Sequence, residues 1–172
     1  MSLSIYDVSI PGYARMLRNL AHLLDKAEAY AAEQKIPLST FLEGSLGHGM
    51  AALPRQIQFA SDAAKSGAAR LAGIEPPSMP DTETTFPELK ERIAKTVAFV
   101  ESITPDQVNG DSQREIVLKF PNGAMTFTAQ DFLLTFSLPN FHFHATTAYD
   151  ILRSLGVPLA KMDYLAGGQR PA

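Results

Sequence analysis

Apolar side chains recur every three or four residues in four long segments of the chain, and this period predicts four helices. The first segment covers residues 11–34, and Pro11 suits the first turn of a helix because its missing N–H needs no partner there. A connection over residues 36–50, with space for about one helical turn, leads to the second segment at about 51–72. Residues 73–86 then form a proline-rich crossing without a period.

The third and fourth helices are delimited by capping and stop signals. Thr85 and Glu88 form a capping box that begins the third helix, and Thr104, followed by a proline, ends it. The fourth helix is expected over about residues 129–155, with Pro139 inside it, where a proline kinks a helix or splits it in two. Because the first half of this helix is apolar all round, we expect it to be the most buried of the four.

A β-hairpin is predicted between the third and fourth helices. Residues 114–128 have a pattern typical of β-strands. Within this segment, Asn122-Gly123 is a strong signal for a tight turn between two strands. A hairpin alone is marginally stable, so it must pack against the helices. We therefore predict an all-α four-helix bundle with one β-hairpin, in a single domain of residues 1–172 with a frayed tail at 166–172.

Composition and charge narrow the functional classes. The 172 residues include 15 lysines and arginines and 18 acidic residues, a net charge of −3, which argues against a broad nucleic-acid interface. The chain has no cysteine, which excludes a thiolate nucleophile and a cysteine-based metal site. No segment has the composition of a membrane span, and the N-terminus lacks the pattern of a secretory signal. We therefore expect a cytoplasmic protein without membrane or nucleic-acid partners.

Four histidines are the remaining candidates for metal or acid–base chemistry. His22 lies among apolar positions of the first helix, where a hydrogen-bonded structural histidine is expected, and His48 lies in the glycine-rich connection. His142 and His144 are two residues apart, so on a helix they point to opposite faces and do not share a metal ion. Asn140 shares the face of His144, and there His144 is either a ligand or a buried, hydrogen-bonded side chain.

The second helix carries polar side chains that could meet this face. Gln58 and Asp62 are one turn apart on the same side of the helix, next to apolar positions. A carboxylate at the boundary of the core needs a partner, and His144, Tyr149 and Arg70 are the candidates. The alternative is that both side chains belong to a solvated helix face.

The last helix contains the sequence LPNFHFHATTAYDILRSLGVPL, which closes on Leu152, Arg153 and Gly156. With this sequence the chain resembles the DinB/YfiT-like superfamily of metalloenzymes. Nearly the whole chain also resembles a bacterial branch known only as a domain of unknown function, through SLSIYDVSIPGYARMLRNL, RQIQFASDAAK, RLAGIEPP and DTETTFPELKERIAKTV. The resemblance implies a four-helix bundle with one long crossover, commonly a homodimer.

In metal-binding members of the superfamily, three histidines hold a divalent ion, one from the second helix and an H-x3-H pair from the last. The resemblance places the second histidine of the pair at His144 and the first at Asn140, while the second helix has Gln58 or Asp62. A neutral amide is a poor ligand for zinc or nickel. The resemblance therefore implies a degenerate site without a tightly bound metal. A residual site would use His144 with Asp62, and His48 as a third candidate.

Three functions are open from the sequence. The first is a small-molecule-binding bundle whose ancestral metal site has become a polar pocket, lined by His144, Asn140, Asp62, Gln58 and Tyr149. The second is a weakly metal-dependent hydrolase or thiol-dependent transferase of the superfamily, and the third is a structural dimer. With the packing that the resemblance implies, His144 faces Asp62 and donates a ring N–H to it. We expect no cofactor for the first function. We also expect a homodimer, because small residues in the second helix and apolar ones around the fourth favour association.

Overall fold

A computed structural model describes residues 3–167 of the protein, which are mainly helical. The elements in chain order are α1 (Ile5–Gln34), α2 (Leu38–Leu42), α3 (Leu53–Ala72), α4 (Phe86–Glu101), α5 (Pro105–Val108), β1 (Glu115–Phe120), β2 (Gly123–Thr128), α6 (Ala129–Asp131), a π-helical segment (Phe132–Ser137), α7 (Leu138–Ser154) and α8 (Lys161–Ala166). The long helices form the bundle: α1 packs on α4, α3 packs on α4 and α7, and α7 also contacts α1. The predicted four-helix bundle with a hairpin is confirmed. Within residues 3–167, no helix combines the length and the apolar character that crossing a bilayer requires.

Helix α1 begins earlier than the apolar pattern predicts. Ser4 Oγ accepts a hydrogen bond from the Asp7 N–H at 3.1 Å, and the Asp7 carboxylate accepts one from the Ser4 N–H at 3.1 Å, which completes a capping box. Pro11 therefore lies inside the helix, and the prediction that it occupies the first turn is wrong. The apolar stripe that starts near Tyr13 marks the buried part of α1 rather than its beginning.

The predicted fourth helix is divided into α6, the π-helical segment and α7. Thr128 caps α6, because its Oγ1 accepts a hydrogen bond from the Asp131 N–H at 3.0 Å. The π-helical segment ends at Ser137, and Pro139, which lacks an N–H, is tolerated in the first turn of α7. The helical backbone continues through Pro139, so the proline does not split the helix, and the kink expected there stays a prediction. The expectation that this helix is the most buried of the four is wrong: Leu134 and Phe143 are 50% and 57% exposed, and α3 has 12 buried residues where α7 has 6.

The hairpin packs one of its faces against the helices. Strands β1 and β2 are antiparallel, with Ile116 opposite Phe127 and Leu118 opposite Met125. Ile116 and Leu118 are buried, so the face that carries these pairs turns toward the bundle. Near the tip of the hairpin, Phe120 and Met125 are about half exposed. The hairpin thus has the position that the turn signal predicts, and its tip extends beyond the core.

A buried hydrogen bond joins α1 to the π-helical segment where both pass α3. The Tyr13 hydroxyl lies 2.7 Å from Ser137 Oγ, and the Tyr13 ring packs edge-on against Phe141, with ring centroids 5.1 Å apart. Burial raises the pKa of Tyr13, and the hydrogen bond to Ser137 offsets part of this effect. Gly67 of α3 makes the close approach possible, because a Cβ atom there would lie 2.3 Å from Ser137 Oγ.

Helix α8 is held against α1 by a partly buried carboxylate. Asp163 accepts hydrogen bonds from the Ala160 N–H at 2.7 Å and from Lys26 Nζ at 3.0 Å, and His22 Nε2 lies 3.0 Å from its other oxygen. Burial disfavours ionisation, but these partners outweigh it and lower the pKa of Asp163 to about 2. His22 is hydrogen-bonded, as predicted for a structural histidine. Most of the tail predicted at 166–172 lies outside the described residues, which end at Gly167.

Candidate functional site

A groove with a cavity of about 250 Å³ runs between α3 and α7 and is covered by the hairpin. One face of α3 lines it with residues at helical spacing: Phe59, Asp62, Ala63, Ser66, Gly67 and Arg70. The opposite wall and the cover are formed by Phe132, Phe136, Ser137, Asn140, His144, Leu118, Lys119 and Phe120. Aromatic rings therefore surround a small set of polar groups, which is the composition of many ligand pockets.

The two helices run in opposite directions along the groove. Near the start of α3, Gln56 contacts His144 of α7. Near the end of α3, Gly67 packs against Ser137, which immediately precedes α7. The groove therefore has two distinct ends, one at His144 and one at the C-terminal end of α3.

The hydrogen bond of His144 defines which of its ring nitrogens carries the proton. Gln56 Nε2 donates to the Ala51 carbonyl at 3.0 Å, which orients the Gln56 amide so that Oε1 faces His144 Nδ1 at 2.9 Å. An amide oxygen only accepts, so Nδ1 carries the hydrogen and Nε2 has a free lone pair in the neutral imidazole. Among residues 3–167, His144 Nε2 has no hydrogen-bond partner. It is not one of the buried polar atoms that lack a partner, so it is accessible to solvent.

Aromatic side chains hold the His144 ring in place. Its centroid lies 4.9 Å from that of Phe59 and 5.2 Å from that of Phe143, and Arg55 stacks on the Phe59 ring at 4.5 Å. Burial lowers the pKa of His144, because desolvation disfavours the imidazolium. At neutral pH this side chain is therefore an oriented, uncharged hydrogen-bond acceptor at one end of the groove.

The predicted contact between His144 and Asp62 is wrong. Asp62 Oδ1 instead lies 2.9 Å from Arg92 Nη2 of α4 and 2.9 Å from Lys65 Nζ. Asp62 does line the groove, but a guanidinium and an ammonium compensate its charge more effectively than a neutral imidazole would. Gln56 takes the place of Asp62 as the partner of His144.

Arg92 links α3, α4 and the proline-rich crossing between them. Its side chain is 1% exposed, and besides Asp62 it contacts Asp81 Oδ1 at 3.0 Å and Glu83 Oε1 at 3.0 Å. Gln58 Nε2 donates to Glu83 Oε2 at 2.9 Å. Burial disfavours ionisation of Asp81 and Glu83, but the hydrogen bonds and charges of the arginines outweigh it and lower the pKa of both carboxyl groups.

The five predicted pocket residues are therefore not all in one place. His144, Asn140 and Asp62 line the groove. Gln58 belongs to the Arg92 network, although the prediction placed it in the pocket. Tyr149 lies on the side of α7 that faces α8, where its hydroxyl accepts from Arg153 at 3.2 Å. For Gln58 and Tyr149 the prediction is wrong, because neither lines the groove. Gln58 contacts Glu83, and Tyr149 contacts Arg153 and Tyr164.

The remaining histidines lie away from the groove. His142 is on the opposite face of α7, as its spacing from His144 predicts, and its Nδ1 lies 3.3 Å from the Tyr164 hydroxyl. His48 lies in an exposed part of the α2–α3 connection with a left-handed φ of 51°. Sequence reasoning missed the roles of Gln56 and Phe59, whose only signal is that they flank the predicted polar positions of α3.

The side chains of the groove do not fit the metal that the superfamily implies. The position of the first histidine holds the neutral amide of Asn140, and a carboxylate oxygen of Asp62 already contacts two cationic groups. In the part of the chain that the structure describes, no three histidine or acidic side chains are grouped to hold a metal ion. One imidazole, that of His144, is left as a good ligand for zinc or nickel.

Comparison with known proteins assigns the chain to a family and finds a solved structure with a similar fold. The profile described as "Domain of unknown function (DUF1993)" matches residues 5–165. A solved structure, the crystal structure of a DinB family member protein from Shewanella denitrificans, superposes with a TM-score of 0.89 at 36% sequence identity. The match covers 98% of this chain and 95% of that chain. A search of curated proteins found no match.

Proposed function

The chain belongs to the DUF1993 family and is DinB-like, and we propose that it binds a small molecule in the groove between α3 and α7. In this proposal the metal site of the superfamily is degenerate and has become a ligand pocket. The observation that carries the proposal is the oriented His144 side chain. Its Nδ1–H is engaged by Gln56, two aromatic rings hold it, and Nε2 is left as an acceptor at a groove. Preorganised polar groups among aromatic walls are typical of ligand sites.

The side chains at the His144 end of the groove indicate which chemical group would bind there. Nε2 accepts a hydrogen bond, so the ligand presents a hydroxyl or an N–H. The ring of Phe59 lies beside His144 and offers an apolar surface for a planar or aliphatic body. Asp62 contributes little net charge here, because Arg92 and Lys65 neutralise it.

A neutral probe with these two features, 4-ethylphenol, tests the proposal. We expect a titration to produce a saturable shift of the His144 Cε1–H NMR signal, with a weak affinity suited to a fragment. The exposed His48 signal serves as an internal reference and is expected to stay unchanged. The shift of groove signals should be lost in His144→Leu and retained in His142→Leu, the matched variant on the opposite face. Equal, unsaturable shifts at His48 and His144 would contradict the proposal.

The alternative function, a weakly metal-dependent hydrolase or thiol-dependent transferase, lacks comparable support. It requires several good metal ligands near His144, and the adjacent positions supply the Asn140 amide and the already paired Asp62. A metal titration of the same histidine signals distinguishes the two functions. A tight, stoichiometric zinc complex at His144 would favour the alternative.

We also propose that the protein is a homodimer. Several large apolar side chains are exposed on the fourth helical region and the hairpin, among them Leu134, Phe143, Phe120 and Met125. Exposed apolar side chains of this size favour association when they form a continuous patch. A cytoplasmic location and the absence of nucleic-acid partners stay predictions from the sequence.

A further inference from the structure

A cationic side chain lies at the end of the groove away from His144. Arg70 is in the last turn of α3, and its Nη1 donates to the Ser66 carbonyl at 3.3 Å, so the side chain folds back along the helix toward the groove. Among residues 3–167, no carboxylate lies within ion-pair distance of Arg70. Lys119 of the hairpin also lines the groove.

Among the described residues that line the groove, no negative charge is left uncompensated to oppose these cations. Asp62 is the one acidic side chain of this set, and it pairs with Arg92 and Lys65. His144, at the other end, is held as a neutral acceptor. The electrostatic balance of the groove is therefore positive at the Arg70 end and uncharged at the His144 end, which favours a ligand with an anionic group at one end only.

The distance between the two ends is set by the rise of α3. Phe59 marks the His144 end, and Ser66, which the Arg70 side chain contacts, marks the other. Seven residues of an α-helix at about 1.5 Å each span about 10 Å. The side chains between the ends are mostly small or aromatic, as at Ala63 and Phe136, so the middle of the groove suits an apolar body.

We infer that the groove selects amphipathic carboxylic acids, whose hydroxyl or N–H group donates to His144 and whose carboxylate pairs with Arg70. The guanidinium suits this partner because its planar donors match the two carboxylate oxygens. The inference rests on the proposed function and adds the charge and the length of the ligand. It predicts that an acid binds better than an equally long neutral amide.

The test compares 4-hydroxyphenylpropanoate with 4-hydroxyphenylpropanamide, which differ in the anionic group alone. Affinities are measured by NMR titration of groove signals at low ionic strength in the wild type, in Arg70→Gln and in Lys95→Gln. Lys95 is an exposed cation of α4 outside the groove and serves as the matched control. We expect the acid to bind at least fivefold more tightly than the amide in the wild type and in Lys95→Gln. Added salt should reduce the preference.

Arg70→Gln should reduce the acid to the affinity of the amide and leave the amide unchanged, with an unaltered circular dichroism spectrum. Arg70→Lys should restore part of the preference, since it keeps the charge. Equal binding of acid and amide by the wild type would overturn the inference, as would an acid preference that survives Arg70→Gln. In either case, saturable binding of the amide or of 4-ethylphenol would leave the proposed function standing. Failure of all three compounds to bind would overturn both.

Discussion

Removal of the His144 side chain should destabilise the protein through Gln56 rather than through Asp62. In His144→Ala, Gln56 Oε1 loses its hydrogen-bond donor. Because Gln56 is only 3% exposed, this acceptor is then left buried. A buried acceptor without a partner costs about 1–3 kcal/mol. Because His144 is partly exposed at the groove, water can enter the vacated space, so we expect the lower part of this range, about 1–2 kcal/mol.

A double-mutant cycle in urea identifies the partner. We expect His144→Ala and Gln56→Met to show a coupling free energy of about 0.5–1.5 kcal/mol, because both remove the same hydrogen bond. His144→Ala and Asp62→Asn should be additive within about 0.5 kcal/mol. His142→Ala is the surface control and should cost less, since the contact of His142 with Tyr164 is long and exposed.

The pH dependence provides a second readout of the same pair. Burial lowers the pKa of His144, so the unfolded chain binds a proton more readily than the folded protein. The stabilisation by neutral His144 is therefore present above the unfolded pKa of about 6.5 and is lost as the pH falls. His144→Ala should cost more at about pH 7.5 than at about pH 5. Coupling to Asp62 that exceeds the coupling to Gln56, or a cost that grows on acidification, would refute this account.

Further predictions concern the buried arginine, the α8 carboxylate, metal binding and association. Arg92→Met should destabilise the protein by about 3–5 kcal/mol in urea melts, because it leaves clustered carboxylates without their shared cation; a cost below about 1 kcal/mol would contradict the network. The stabilisation by ionised Asp163 is present above its unfolded pKa of about 4 and is lost as the pH falls through about 2. Asp163→Asn should therefore cost about 2 kcal/mol at neutral pH and little near pH 2. Protein purified without chelators should contain well below one zinc or nickel ion per chain; a stoichiometric metal that is lost in His144→Ala would refute this. Light scattering at micromolar concentration should give twice the monomer mass, and a monomer mass would contradict the proposed dimer.

The sequence predicts the elements best where local signals decide them. The capping box at Thr85 and Glu88 begins α4 as predicted, with Glu88 N–H donating to Thr85 Oγ1 at 3.4 Å. The turn signal similarly places the hairpin. The prediction failed at the start of α1, where the pattern of Ser4 and Asp7 is an equally good cap but precedes the apolar stripe. It could not anticipate the π-helical segment, whose wider turns have no distinct apolar period.

The candidate site was predicted less well, because it depends on the register between helices. Spacing along α7 shows that Asn140 and His144 share a face, and the structure places both on the groove. Spacing along α3 puts Gln58 beside Asp62, but the antiparallel packing brings Gln56 to His144 and turns Gln58 toward Glu83. The register also brings Gly67 so close to Ser137 that a side chain at Gly67 would not fit, and the spacing of residues along one helix does not contain this tertiary contact.

The environment of Asp62 connects the fold to the chemistry of the groove. Had its carboxylate paired with His144, the negative charge would have favoured the imidazolium, and the ring would have been a cation with no free lone pair. Asp62 is instead paired with Arg92 of α4, whose Nη1 and Nη2 also contact Glu83 and Asp81 of the crossing. A segment without a periodic pattern thus supplies two members of the ion-pair network that holds Asp62. With Asp62 paired to Arg92, the partner of His144 is the neutral Gln56 amide, and Nε2 is left as an acceptor.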